Sequence, residues 1–123
     1  QCLDGDVQLV NGAMGSGIID GVLQICYAGH WGVVSGVTWT LSEASVVCRQ
    51  LHYAPVALKA FTYSMNGAVT GSVTFSGLHC VGYEKKILDC YHWPPGYQPF
   101  YYYYYSTYAV GVRCQGKVIR NEY

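Results

Sequence analysis

Only the stretch Thr40 to His52 has the spacing of an amphipathic helix, and its apolar face carries a cysteine. Ala44, Val47, Cys48 and Leu51 fall at i, i+3, i+4 and i+7, which places them on one side. Ser42 suits the N-cap. Thr40, with Glu43 three residues on, offers an alternative start through a capping box. Arg49 near the other end suits the helix dipole. The helix is expected over about 41–51. A cysteine on its core face implies that it is stapled as well as packed. Everything else reads as strand and turn. The expected class is α+β, a single domain in which a curved antiparallel sheet cradles one helix.

Six cysteines, widely spaced and without a C-x-x-C pair, point to disulfides in an oxidising compartment rather than to zinc. The length of 123 residues fits one domain with one modest core. The expected domain is 1–116, with 117–123 as a polar tail or linker stub. Seven basic and seven acidic residues cancel, and only 11% of residues are charged. That balance offers no basic patch for counterion release, which argues against nucleic acid. No apolar run of about 18 residues appears, so no transmembrane segment is expected. With no leader sequence ahead of Gln1, the chain is expected to be a mature secreted protein or one ectodomain of a larger one. Asn11, Asn66 and Asn121 all lack the hydroxyl residue of a glycosylation sequon.

Along the chain, Val7 to Val10 reads as a strand, followed by a glycine-rich turn, NGAMGSG. Such a loop cradles phosphate only when a helix follows directly. Here a strand follows, Val22 to Tyr27, so a hairpin is the better reading. Ala28-Gly29 turns the chain into His30 to Val34. Asn66-Gly67 is a hairpin signal, and Val69, Val73 and Phe75 suggest a strand leading to Cys80. Val110 to Cys114 reads as a closing, buried strand.

Several of these words resemble the scavenger receptor cysteine-rich family. HWGVVSGVTWTLSEASVVCRQLHY is similar to its W-G-T-V-C-D-D-G-W stretch followed by V-V-C-R-Q-L-G. VQLVNG, CVGYEKKILDC from Cys80 to Cys90, and AVGVRC from Ala109 to Cys114 extend the likeness over residues 7 to 114. The resemblance is to a divergent member of the six-cysteine subgroup, and it implies the bridges Cys48–Cys114 and Cys80–Cys90. Tyr53 stands where the eight-cysteine subgroup has a further cysteine. The family's third usual bridge is missing, with Ser35 at its first position and its partner falling at about Tyr104. Cys2 and Cys26 are then left over. The simplest pairing joins them to each other, and the alternative is an intermolecular bond through Cys2.

The family often binds a divalent cation through acidic residues. In this chain those positions are Gly36 and Val37, Ser76, and Ser106, Thr107, Tyr108 and Ala109; of the network only Glu84 remains. Calcium wants several oxygen ligands, mostly carboxylates, so neither a metal nor another cofactor is expected. His30, His52, His79 and His92 share no helix face or short strand spacing, and no nucleophile elbow is present. No enzymatic activity is expected.

The unusual segment is YHWPPGYQPFYYYYYSTY, residues 91–108, which holds more than half of the chain's Phe, Trp and Tyr. Tyrosine gives a large, stiff contact area with a hydrogen-bonding tip. In extended form Tyr101, Tyr103 and Tyr105 line one face, and Tyr102 and Tyr104 the other. Both faces cannot be buried in so small a domain. Pro94, Pro95 and Pro99 keep the preceding residues out of regular pairing. Trp93, Tyr97, Phe100, Tyr101, Tyr102, Tyr103, Tyr104, Tyr105 and Tyr108 are therefore the candidate contact residues. Two partners fit such a surface. One is an extracellular protein or glycan, bound by a recognition or adhesion module. The other is further copies of the same chain, in a structural, self-assembling subunit.

Overall fold

The computed structural model describes residues 2–10, 12, 14–15, 17–36, 38–64, 73–94 and 108–116. The strands are β1 (Val7–Val10), β2 (Met14–Gly15), β3 (Ile18–Tyr27), β4 (His30–Val34), β5 (Lys59–Ser64), β6 (Val73–Phe75) and β7 (Tyr108–Gln115). The helix α1 spans Leu41–Gln50, and a single 3-10 turn spans Ile87–Asp89. The Asn66-Gly67 turn, Val69 and the tail 117–123 lie outside the described residues.

All seven strands form one sheet, in the order β5-β7-β3-β4-β6, with β1 and β2 also paired to β3. The long strand β3 organises it. One edge takes β1 through Val10↔Val22 to Val7↔Ile25, and β2 through Met14↔Ile19. The other edge takes β7 through Ile18↔Gln115 to Val22↔Gly111, then β4 through Gln24↔Val33 to Tyr27↔His30. β3 starts at Ile18, four residues before the strand expected from the sequence. Gly21 allows this, because a Cβ there would come within 2.8 Å of the Val10 carbonyl oxygen on the crossing strand. All pairings are antiparallel except β4 with β6, which run parallel.

Side chains alternate across the sheet, so the two faces carry different clusters. Leu23, Ile25, Val34, Val110, Val112 and Cys114 face α1 and meet its Ala44, Val47 and Cys48. On the other face Val22, Val33 and Ala109 are buried with Val10, Tyr63 and Val73 against them. Gly111 lies opposite Phe61 on β5, and the Tyr63 ring occupies the space where its Cβ would be. Burial and then the nearby Asp20 carboxylate push the Tyr63 hydroxyl pKa up, partly offset by Arg113.

The helix starts at the earlier of the two possible caps. Thr40 is the N-cap, and Glu43 closes the capping box by accepting from the Thr40 backbone N–H at 2.7 Å. Three disulfides join Cys2 to Cys26, Cys48 to Cys114 and Cys80 to Cys90. The second ties α1 to β7 from within the core, where both cysteines are fully buried.

Candidate recognition surface

The two ends of the aromatic segment are fastened side by side. At one end Trp93 donates its backbone N–H to the Ser76 carbonyl at 3.2 Å. Its indole lies over Gly77, where a Cβ would fall 2.4 Å from the ring. Gly77 also has φ +68°, so this position requires glycine twice over. At the other end Tyr108 opens β7, and its carbonyl accepts from the Gly36 N–H at 2.9 Å. The neighbours Ser35 and Phe75 close the gap, since Ser35 N–H donates to the Phe75 carbonyl at 3.0 Å and Ser35 bridges Ala109. Below them Phe75 meets Tyr27 and His92 edge-on, at 5.8 and 5.2 Å between ring centres. Trp93 and Tyr108 are both half-buried. Tyr97, Phe100, Tyr101, Tyr102, Tyr103, Tyr104 and Tyr105 lie outside the described residues.

That root is built on the positions where the resemblance implies a cation site. Gly36 contributes its backbone N–H, Ser76 and Ala109 are fully buried, and none of these three side chains carries a carboxylate. Val37, Ser106 and Thr107 lie outside the described residues. Glu84 is committed locally: its carboxylate accepts from the Val81 and Gly82 N–H groups at 2.8 and 2.9 Å. Desolvation pushes its pKa up, but the backbone donors of residues 81–84 outweigh it and hold the carboxyl below its usual range. Cys80 and Cys90 approach Glu84 closely enough to suggest a metal cluster, but both sulfurs are bonded to each other. The histidines stand apart in role: His30 begins β4, His79 bridges Tyr91, His92 packs on Phe75, and His52 takes φ +68° just after the helix.

Sequence reasoning missed the residues that hold the loops in place. Arg49, read only as a partner for the helix dipole, donates to the carbonyls of Pro55, Gly82 and Glu84. Gln50 donates to the Gly5 carbonyl and accepts from the Ile87 N–H, at 2.8 Å each. Glu43 is buried, and besides Thr40 it accepts from the Cys80 N–H at 2.8 Å. Their partners lie up to 45 residues away in sequence, and no local pattern announces them. The turn clamped between Arg49 and Glu84 carries Tyr83, which is 81% exposed.

One sheet backed by one helix, with three bridges, defines a disulfide-stapled α+β domain. Residues 13–115 match the scavenger receptor cysteine-rich domain, and the chain belongs to that family. Among its relatives, galectin-3-binding protein of Rattus norvegicus is 38% identical over 71% of this chain. A scavenger receptor cysteine-rich domain superfamily protein of Patiria pectinifera is 36% identical over 94%. This chain spans 14% and 10% of those two proteins, which are much longer. Two solved structures share the fold. The dimeric form of the corresponding domain of mouse MARCO aligns with a TM-score of 0.65 at 23% identity, covering 84% of this chain and 93% of that one. The third such domain of murine neurotrypsin aligns at 0.64 and 24% identity, covering 92% and 98%. Domains of this family are typically extracellular protein-binding modules. Among the described residues no helix is long and apolar enough to cross a membrane.

Proposed function

We propose that this domain is a non-enzymatic extracellular recognition and adhesion module that binds a protein or glycan through residues 93–108, without a cation. The observation that carries this reading is the root of the aromatic segment. Trp93 and Tyr108 are pinned to Ser76 and Gly36, positions where a cation-dependent relative would carry acids. A segment with both ends fixed has less freedom to lose on binding. When charge does not select the ligand, buried aromatic area must supply the affinity. At about 25 cal/mol per Å², one well-docked tyrosine contributes a few kcal/mol before ordering costs. Trp93 fits the same patch, because interface hot spots are rich in tryptophan and tyrosine. One relative carries in its own name a protein ligand, galectin-3, which is a precedent for protein recognition.

The test is a pair of variants. Replacing Tyr101, Tyr103 and Tyr105 with serine is expected to abolish binding to immobilised extracellular matrix protein or glycan, while the melting midpoint stays within a few degrees. Changing Tyr102 and Tyr104 tests the opposite face, and one variant should hurt far more than the other. Should both bind normally, the contact surface lies elsewhere. Should both fail to fold, the tyrosines are packing residues. Low charge and a mean hydropathy of +0.14 favour a second reading, a subunit that polymerises through the same segment. Gel filtration at high concentration separates the two, since the serine variants would then lose assembly instead of ligand.

Cation independence has its own check. A ligand that binds only the folded state raises the melting midpoint. The midpoint is therefore expected to be the same in millimolar calcium as in chelator. A rise of several degrees with calcium would overturn this part of the reading.

A further inference from the structure

Six of the fourteen charged residues of this charge-poor chain gather around the C-terminal end of α1. Arg49, Lys85, Lys86, Asp4, Asp6 and Asp89 meet there, out of seven basic and seven acidic residues in all. They line two adjacent clefts that share Gln50 and Lys86. One, of about 330 Å³, is lined by Arg49, His52, Lys85 and Lys86 and contains no carboxylate. The other, of about 410 Å³, carries Asp4, Asp6 and Asp89.

The wall between the clefts is rigid. Gln50 is held at both ends of its amide, by Gly5 and Ile87. Arg49 is fixed by three carbonyls, and the carboxylates of Asp4 and Asp6 accept from the Ala28 and Leu3 N–H groups. Lys85, Lys86 and Asp89 are exposed, and the ion pair among the described residues is Arg113 with Asp20, on the sheet. Unpaired charges of both signs thus stand in neighbouring clefts on one firm surface. They do not form the three-ligand grouping that a metal requires.

We infer that this face docks a second copy of the chain across a two-fold axis near Gln50, laying the basic cleft of each copy on the acidic cleft of the other. A surface with one positive and one negative half is its own complement under two-fold rotation. A net charge of zero removes overall repulsion between the copies. Leu3, beside Asp4, and Val56, beside Pro55, are 75% and 68% exposed and supply apolar contact at the margins. None of the residues lining the clefts belongs to the aromatic segment, so the inference does not rest on the proposed function.

Sedimentation equilibrium at low ionic strength tests it. The wild-type chain is expected to form a reversible dimer that falls apart in about 0.5 M salt, where the screening length is roughly 4 Å. Lys85→Glu and Asp89→Lys are each expected to weaken the dimer at least tenfold, because each reverses both symmetry-related contacts. Mixed together, the two variants should form a heterodimer in which every contact is again of opposite sign. The double variant K85E/D89K should dimerise with itself, which also shows that the changed chain is folded. Replacing Tyr101, Tyr103 and Tyr105 with serine should leave this dimer intact. A monomeric wild type at low salt, a dimer indifferent to both single changes, or failure of both the mixture and the double variant to restore it would overturn the inference.

Discussion

Replacing Cys48 and Cys114 together with alanine is expected to lower the unfolding free energy by about 4 kcal/mol. The bridge closes a loop of 66 residues, and loop-closure entropy gives that figure. The same relation gives roughly 3 kcal/mol each for Cys80–Cys90 and Cys2–Cys26, whose loops span 10 and 24 residues. The first loss is the most damaging for a second reason. Both cysteines are fully buried in the core cluster that holds Val47, Val110 and Val112, so removing their sulfurs also opens space in the core. Small domains have only about 5–15 kcal/mol in total, and this change would remove a large share of it. Urea titration of the three paired-alanine variants measures the order directly. A Cys48–Cys114 variant as stable as the Cys80–Cys90 variant would contradict the expectation.

Glu43→Leu is expected to cost about 3 kcal/mol, and Glu43→Gln about 1 kcal/mol. Glu43 is 1% exposed and takes three hydrogen bonds: from the Thr40 N–H, from the Thr40 hydroxyl at 2.6 Å, and from the Cys80 N–H. Leucine removes every acceptor and leaves the buried Cys80 N–H without a partner, along with the partly buried Thr40 N–H. Glutamine keeps one acceptor oxygen for the capping box and loses the reach to Cys80. The split between the two variants compares the loss of both acceptor oxygens with the loss of the one that reaches Cys80. Denaturant midpoints give the measurement, and a leucine variant equal to wild type would show that the network contributes nothing to stability.

Glu43 also illustrates what the sequence can announce. Its role as a cap partner was legible, because Thr40 and Glu43 stand three apart before an apolar run. Its bond to Cys80 was not, because that partner is 37 residues away. The amphipathic face of α1 was readable from spacing alone, whereas composition singled out the aromatic segment without showing how Trp93 and Tyr108 are held. β5 escaped notice because neither of its faces is a run of aliphatic residues: Ala60 packs on the core, while Phe61 and Tyr63 lie on the far side with the Tyr63 ring over Gly111. The parallel pairing of β4 with β6 was hidden as well, since register across a long connection leaves no mark in either strand. Arg49 and Gln50 looked like helix-surface residues. Their importance comes from the carbonyls of distant loops, which only the folded chain brings near.

The position of β7 has a bearing on how the domain is made. Among the described residues it is the last strand in chain order, yet it lies inside the sheet, paired with β5 on one side and β3 on the other. A growing chain therefore cannot complete its sheet until residue 108 and beyond have been synthesised, and the edges of β3 and β5 wait open until then. The thiols wait too. Cys26 finds its partner 24 residues behind it and Cys90 finds its own 10 residues behind, both available as soon as each is made. Cys48 has no native partner until Cys114 appears, 66 residues later. Throughout that interval it remains a free thiol, while Cys80 and Cys90 are both made ahead of its mate.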